Sequence, residues 1–477
     1  MNKIVVAAVG IAAAAAIVGG AACYFLCNFK KYENTQTVTV GDGESLKVGI
    51  ISDSQLPANG SADSSQIIAL KKSLETMKAN GVDVLLHAGD FTDLSTVEAW
   101  QSFADTYDEV YGDDKPVPVF AMGNHDYWLD YFAKSHEIAT PAKLQRRFTK
   151  YTGERPFSHK VINGYHFIVW SSSDGSYDKS YSDRDWIKEQ LDAAVKDDPN
   201  KPIFVVTHLN AQDTVYGSDE WGNQDIYDVL KDYPQVISFS GHSHYALCDE
   251  RSIWQGEFTA INTQTTDYIE LESGKYNGTI PKDAYGDDAC HWPMGMIMTI
   301  DANGVSIQRI DTVTGESYKE PWVISTPFGD TSSFCYTWEQ RKAENKAPEF
   351  KIPVNAEISE RSDRDGNKIN VISFPAAEDD DFVHSYRLEF LDGSGNILSF
   401  EKTNYAGEVE KDENGNTTVI SELLYFSDFS KGTDKMSDTV ELRLPPNLPQ
   451  NTAKIRITAI DSWNAQSESV TVDRGGV

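Results

Sequence analysis

Cysteine and positive charge are both scarce in this chain. Its 477 residues include 5 cysteines and no Cys-x-x-Cys pair, which disfavours a thiolate zinc site or a thioredoxin-type redox centre. Cys23 and Cys27 fall in an apolar N-terminal run. The body holds Cys248, Cys290 and Cys335, enough for one disulfide at most, and buried free thiols read equally well. Lys and Arg total 42 against 73 Asp and Glu, a net charge of −31. That field repels nucleic-acid backbones and anionic membrane surfaces at long range, so no nucleic-acid partner is expected. Internal repeats and low-complexity tracts are absent. The 22 Tyr, 21 Phe and 10 Trp argue for packed cores rather than disorder, over a length that suits two or three domains.

Ile4 to Cys27 is an unbroken run of apolar or small residues, preceded by Lys3 and followed by Lys30 and Lys31. As a helix at about 1.5 Å per residue it outreaches a hydrocarbon core of about 30 Å. Residues 1–33 therefore read as an uncleaved signal-anchor, with a signal peptide cleaved near Ala22 as the alternative. A lipoprotein reading of Cys23 is weaker, because Gly20 sits where a Leu-like residue is wanted. The expected location is extracytoplasmic, membrane-anchored through this helix or secreted after cleavage. Residues 34–45 read as a polar linker.

Alternating strand and helix patterns follow. Strands are expected at Lys47–Ser52, Val82–Ala88, Val117–Met122, Tyr165–Trp170, Pro202–Val206 and Val236–Ser240. Helices are expected around Ser64–Asn80, with Ile67, Leu70, Leu74 and Met77 on one face, and around Thr96–Tyr111, with Val97, Trp100, Phe103 and Tyr107. A third is expected at Asp183–Val195. From Thr259 strands dominate, with turns at Asn277-Gly278 and Asn303-Gly304. Beyond Asn345 short alternating strands continue without a helix.

Five short fragments follow five of those strands: Asp53-Ser54-Gln55, Gly89-Asp90-Phe91-Thr92-Asp93, Gly123-Asn124-His125-Asp126, Thr207-His208 and Gly241-His242-Ser243-His244. Side chains at the ends of neighbouring strands can converge on one point, where open α/β sheets place their ligands. Two carboxylates, three imidazoles and two amides suit a pair of divalent ions in a mixed oxygen and nitrogen site. Singly, each residue has a plainer reading: Asp53 or Asn124 as a cap or turn residue, His208 as a satisfied buried histidine. Jointly and in this order, the fragments point to a metal centre.

The series resembles the calcineurin-like metallophosphoesterases over about residues 45 to 325. The resemblance implies an α/β fold, an αββα four-layer sandwich, over residues 46–345. It also implies a phosphoesterase that hydrolyses a phosphate monoester or diester by attack of metal-activated hydroxide. Two divalent ions (Mn, Fe or Zn) are implied, one held by Asp53, Gln55, Asp90 and His244, the other by Asp90, Asn124, His208 and His242. His125 would face the scissile phosphate as acid or charge stabiliser, Asp126 would orient it, and Asp93 would stand behind. Family members typically have His where this chain has Gln55, although related branches carry Gln; a harder amide oxygen there shifts metal preference. The purple acid phosphatase branch places Tyr where Asp93 stands, so a tyrosinate–iron site is not available. The expected substrate is a phosphate-ester small molecule or cell-surface phosphate, and an alternative reading is a catalytically weak surface binding or adhesion protein. The sequence leaves oligomeric state open.

Other histidines, His87, His136, His159, His166 and His384, lack a ligand pattern, while His291 could border the pocket. Tyr127 and Trp128 could shape its entrance. Residues 346–477 resemble a fibronectin type III or immunoglobulin-like β-sandwich, judged from Leu444-Pro-Pro-Asn-Leu-Pro and the strands Lys454–Asp461 and Ser467–Val472. Asp363-Arg364-Asp365-Gly366-Asn367 lacks the closing Glu of a calcium loop and reads as a turn. Every candidate ligand precedes residue 346, so a chain ending near Asn345 is expected to keep metals and activity.

Overall fold

The computed structural model describes residues 32–41, 43, 45–129, 139–177, 181–270, 292–362, 366–404, 407–427 and 438–474. The candidate span 4–27 lies outside them, with Cys23 and Cys27, as do His136, the Asn277-Gly278 turn, Cys290, His291 and residues 363–365. Among the described residues no helix is long and apolar enough to cross a membrane.

Two sheets stack face to face. One runs, in spatial order, Gln36–Val38, Phe157–Ile162, Tyr165–Trp170, Ile203–Val206, Val236–Ser240, Thr259–Asn262 and Ile253–Gln255. The other runs Ser317–Ser325, Gly304–Asp311, Met294–Asp301, Leu46–Ile51, Val84–His87 and Val117–Phe120. Their inner faces supply one core, with Val48, Ile50 and Leu86 from the second sheet against Phe167, Val169, Phe204 and Phe239 from the first. Strands buried on both faces carry apolar side chains in both directions, which explains the uninterrupted runs in Leu46–Ile51 and Ile203–Val206.

Helices cover the outsides, completing four layers. Ser65–Ala79, capped by the Ser64 hydroxyl, buries Ile67, Leu70, Leu74 and Met77 as its spacing predicts. Val97–Tyr111, capped by Thr96, buries Trp100, Phe103 and Tyr107, but Val97 is exposed, because helical spacing sets it to one side of the stripe formed by Ala99, Phe103, Tyr107 and Val110. Arg184–Asp197 and Gln224–Leu230 cover the other sheet. Gln36–Val38 departs from the expected linker: it adds a parallel strand beside Lys160–Ile162, and the Asn163 side chain bonds both backbone groups of Val40.

The C-terminal region is all-β among its described residues. Glu357–Ser362, Lys368–Pro375 and Thr439–Leu444 form one sheet, and Glu422–Phe426, Val383–Leu391, Lys454–Asp461 and Val470–Asp473 form another. The two share a core that includes Ile372, Leu442, Tyr386, Leu388, Tyr425 and Ile457. This unit does not stand apart. Phe382 and Phe426 are buried in one continuous cluster with the core of the two large sheets, and Asn345 bonds Asp461 at 2.6 Å.

The joint is also charged. Glu250 accepts from Arg309 at 2.7 Å and from the Trp322 indole at 3.0 Å, and pairs with Arg341. Burial pushes its pKa up, but Arg309, Arg341 and Lys319 outweigh that and hold it at about 2, below the ordinary 4.5. A depressed folded pKa means stability that is present above about 4.5 and lost as pH falls towards about 2. Glu250→Gln is therefore expected to cost on the order of 3 kcal/mol at pH 7 and roughly half of that near pH 3, because the advantage of the folded carboxylate over the unfolded one shrinks as the pH falls below about 4.5. Thermal melts of both proteins at the two pH values check this; an equal penalty at both would contradict it.

Candidate metal centre

Three of the five fragments leave parallel neighbours in one sheet, Leu46–Ile51, Val84–His87 and Val117–Phe120; two leave parallel neighbours in the other, Ile203–Val206 and Val236–Ser240. All five exit at the carboxyl ends, so the loops meet where the two sheet edges face each other. Asp53, Gln55, Asp90, His242 and His244 all have positive φ, between 45° and 69°. Non-glycine residues seldom take that conformation, and its clustering here marks a site that the surrounding structure enforces. The glycines of the fragments permit the approach. A Cβ on Gly123 would lie 2.1 Å from Asp90 Oδ1, and one on Gly241 would lie 2.1 Å from Asp53 Oδ2.

All seven expected ligands come together. Asp53, Gln55, Asp90, Asn124, His208 and His244 are buried, and His242 is nearly so. His208 Nε2 lies 2.9 Å from Asn124 Oδ1 and 3.1 Å from Asp90 Oδ2, while His208 Nδ1 donates to the Ala88 carbonyl at 2.9 Å. His244 repeats this pattern, Nδ1 donating to the Tyr268 carbonyl at 3.0 Å and Nε2 lying 3.1 Å from Asp53 Oδ1. A carbonyl only accepts, so both Nδ1 atoms carry the proton and both Nε2 atoms point at oxygens. Either Nε2 is protonated as well, or a cation sits between nitrogen and oxygen. The His242 Nε2 and Asn124 Nδ2 atoms are buried without a hydrogen-bond partner. Asp90, His208 and His242 offer atoms within 4.8 Å of one another. The donor set fits divalent cations.

The electrostatics agree. Burial pulls His208 down, yet the Asp90 carboxylate and its hydrogen bond lift the pKa to about 9. Burial drives His242 well below its ordinary value, with His208 adding to the effect. His242 is thereby held in the neutral form, the one that binds a metal ion. Burial opposes ionisation of Asp90, but His208 and His125 hold its pKa low.

His125 sits at the pocket rather than in the ligand cluster. Its Nδ1 lies 2.9 Å from the Asp93 carbonyl and 3.4 Å from the Asp93 carboxylate, and its ring packs 3.9 Å from Trp128. Asp126 does not orient it. That side chain is fully buried on the other side of the short turn His125–Tyr127 and accepts from Gly123 N, Thr92 N and Thr92 Oγ1 at 3.0–3.2 Å. Consecutive residues of a tight turn point apart, so Asp126 ties two ligand loops together while Asp93 orients His125. Burial and the Asp90 charge raise the Asp126 pKa to about 7.

A pocket of about 210 Å³ opens on the cluster, lined by Asp90, His125, Tyr177, Trp221, His242 and Tyr268 among others. Tyr127 is not at the entrance: its hydroxyl bonds the Ser172 carbonyl at 2.7 Å in the core. The aromatic walls at Tyr177, Trp221 and Tyr268 went unread in the sequence. Tyr268 was reachable, because it follows Thr259–Asn262, the next parallel strand after Val236–Ser240. His87 is confined to the core, 2.9 Å from the Ser54 hydroxyl, and burial lowers its pKa to about 3. His159 and His166 bond each other at 2.8 Å, away from this cluster.

Residues 46–246 match the model of the calcineurin-like phosphoesterases. This segment is a calcineurin-like phosphoesterase domain. Solved structures with similarity include GAP50, the anchor in the inner membrane complex of Plasmodium, at 17% identity and TM-score 0.38, covering 60% of this chain and 89% of that one. Purple acid phosphatase PPD1 from yellow lupin seeds is 12% identical at TM-score 0.38; the match covers 61% of this chain and 55% of that one. A predicted phosphoesterase from Streptococcus pneumoniae is 13% identical at TM-score 0.27, covering 59% and 98%. No curated protein matches the chain. The match ends in sequence just past His244, so the matched segment contains all seven clustered residues, while the strands from Ile253 to Ser325 complete the same two sheets.

Proposed function

We propose that this protein is a dinuclear metal-dependent phosphoesterase that hydrolyses a phosphate monoester or diester. The observation that carries the reading is the convergence of seven donors from five loops, six of them buried, with two imidazole Nε2 atoms aimed at carboxylate oxygens and a third without a hydrogen-bond partner. Asp53, Gln55, Asp90 and His244 would hold one cation, and Asp90, Asn124, His208 and His242 the other. When bound, such a pair supplies Lewis-acid stabilisation of the phosphoryl oxygens and a water that ionises near neutral pH. His125 stands beside the pocket to stabilise charge on those oxygens or to protonate the leaving group, held in place by Asp93. Tyr177, Trp221 and Tyr268 would flank the ester substituent. The 4–27 run would carry the enzyme on the outer face of a membrane, and the three-plus-four-stranded C-terminal unit reads as fibronectin III-like.

Hydrolysis of p-nitrophenyl phosphate and bis(p-nitrophenyl) phosphate, before and after chelation and with manganese restored, tests the reading. Turnover of at least one ester that vanishes with chelator and returns with metal is expected. No metal uptake and no turnover after reconstitution would refute it.

Gln55 tunes the metal. Its amide nitrogen donates to Asp90 Oδ2 at 3.3 Å, inside the cluster, and a half-turn of the amide brings the oxygen to that place. An amide oxygen suits manganese better than imidazole does, so Gln55→His is expected to be tolerated and to shift relative affinity towards zinc. Titrations of Mn and Zn into both proteins read this directly, and an unchanged ratio would rule it out.

A further inference from the structure

One wall of the metal pocket belongs to a loop that the C-terminal unit grips from behind. Residues 212–221 are closed off by the short pairing of Asn210–Ala211 with Gly222–Asn223. Within the loop Thr214 N bonds Ser218 Oγ at 2.7 Å, Thr214 Oγ1 bonds the Ala211 carbonyl at 2.7 Å, and Trp221 N bonds the Gly217 carbonyl at 2.8 Å. Thr214, Val215 and Ser218 are buried, and these bonds tie the two ends of the loop together. At one end Trp221 lines the metal pocket, its ring 5.7 Å from that of His242.

At the other end, Tyr216 Oη and His384 Nε2 share a buried hydrogen bond of 2.9 Å. The Tyr216 ring lies 4.4 Å from that of Tyr245, the residue after His244, and the Arg251 guanidinium lies 3.9 Å from its centre. His384 is itself fixed. It lies in the strand Val383–Leu391, its carbonyl accepts from Ser427 N, and Phe382 and Phe426 are anchored in the phosphoesterase core. A cavity of about 470 Å³ opens beside the contact, with Asp213, Asp219, Trp338 and Asn464 among its lining. Val215 belongs to a buried cluster with Leu209 and Ile226, and Tyr216 ties the loop to two further neighbours, to the Arg251 carbonyl through its backbone N–H at 3.0 Å and to His384 through its hydroxyl.

We propose that the C-terminal domain sets the substrate-facing wall of the metal pocket, with His384 as a positioning residue that acts through Tyr216 on Trp221. This rests on the phosphoesterase reading and replaces the expectation that a chain ending near Asn345 suffices for full activity.

The test uses the full chain with Tyr216→Phe, which keeps the ring on Tyr245, and His384→Leu. Metal content is expected to stay at the wild-type level. KM for bis(p-nitrophenyl) phosphate should rise about five-fold, the scale of one lost hydrogen bond, with kcat changed less. In a Trp221→Ala background the Tyr216→Phe effect should vanish, because the two act in series. A second readout does not need turnover. With 5-fluorotryptophan incorporated and the Trp221 fluorine resonance assigned through Trp221→Phe, both variants should move that resonance. A Trp221 resonance unmoved by Tyr216→Phe, or Tyr216→Phe and Trp221→Ala effects that simply add, would overturn the proposal. If the wild type turns over neither ester, the phosphoesterase reading fails, and the fluorine resonance still decides the coupling.

Discussion

Asp90→Ala is expected to leave a folded protein that binds neither cation and hydrolyses neither nitrophenyl ester above background. Asp90 is the residue the other donors share. Its Oδ2 faces His208 at 3.1 Å and Gln55 at 3.3 Å, and its Oδ1 accepts from His125 N at 2.8 Å. Removing one carboxylate therefore strips the bridge from both proposed cations and frees the turn that carries Asn124 and His125. The change also leaves His208 without the charge that lifts its pKa, so the ring should fall towards the neutral form. Metal analysis by plasma mass spectrometry, with circular dichroism to confirm folding, reads the result. A folded Asp90→Ala protein that kept two equivalents of metal would remove Asp90 from its bridging role.

His125→Ala is expected to behave differently: full metal content, with kcat reduced on the order of 10²-fold. The residue bonds the cluster through its backbone, since His125 N reaches Asp90 while the ring Nδ1 turns towards Asp93. Burial pulls its pKa down, but Asp90 and then Asp93 outweigh it and hold the ring protonated, at about 9. A protonated imidazole beside the pocket is placed to stabilise phosphoryl charge or to give a proton to the leaving oxygen. Loss of metal from His125→Ala, with residual rate tracking occupancy, would make His125 a ligand instead.

Much of this was legible because metal ligation imposes residue types that few other demands combine. Asp53, Asp90, Asn124, His208, His242 and His244 each stand one to four residues past a β-prone run, and the run marks the sheet edge at which they surface. Helices with a one-sided apolar stripe were equally plain, as at Ile67, Leu70, Leu74 and Met77. Direction within a turn was not legible. Asp126 stands next to His125 in sequence yet faces Thr92 and Gly123, because the short helical turn sends neighbours to opposite sides. Partners across long separations were equally hidden. Nothing near His384 in sequence announces Tyr216, 168 residues away. The aromatic pocket walls carry no spacing signature either, since Tyr177, Trp221 and Tyr268 come from three unrelated loops and any of them alone reads as packing.

The most direct test of the account is anomalous diffraction from crystals of the manganese-loaded protein. Two manganese peaks are expected about 3.5–4 Å apart, one bounded by Asp53, Gln55 and His244, the other by Asn124, His208 and His242, with Asp90 between them. A manganese site built from other residues, or full catalytic activity in crystals with no anomalous peak at this cluster, would contradict it.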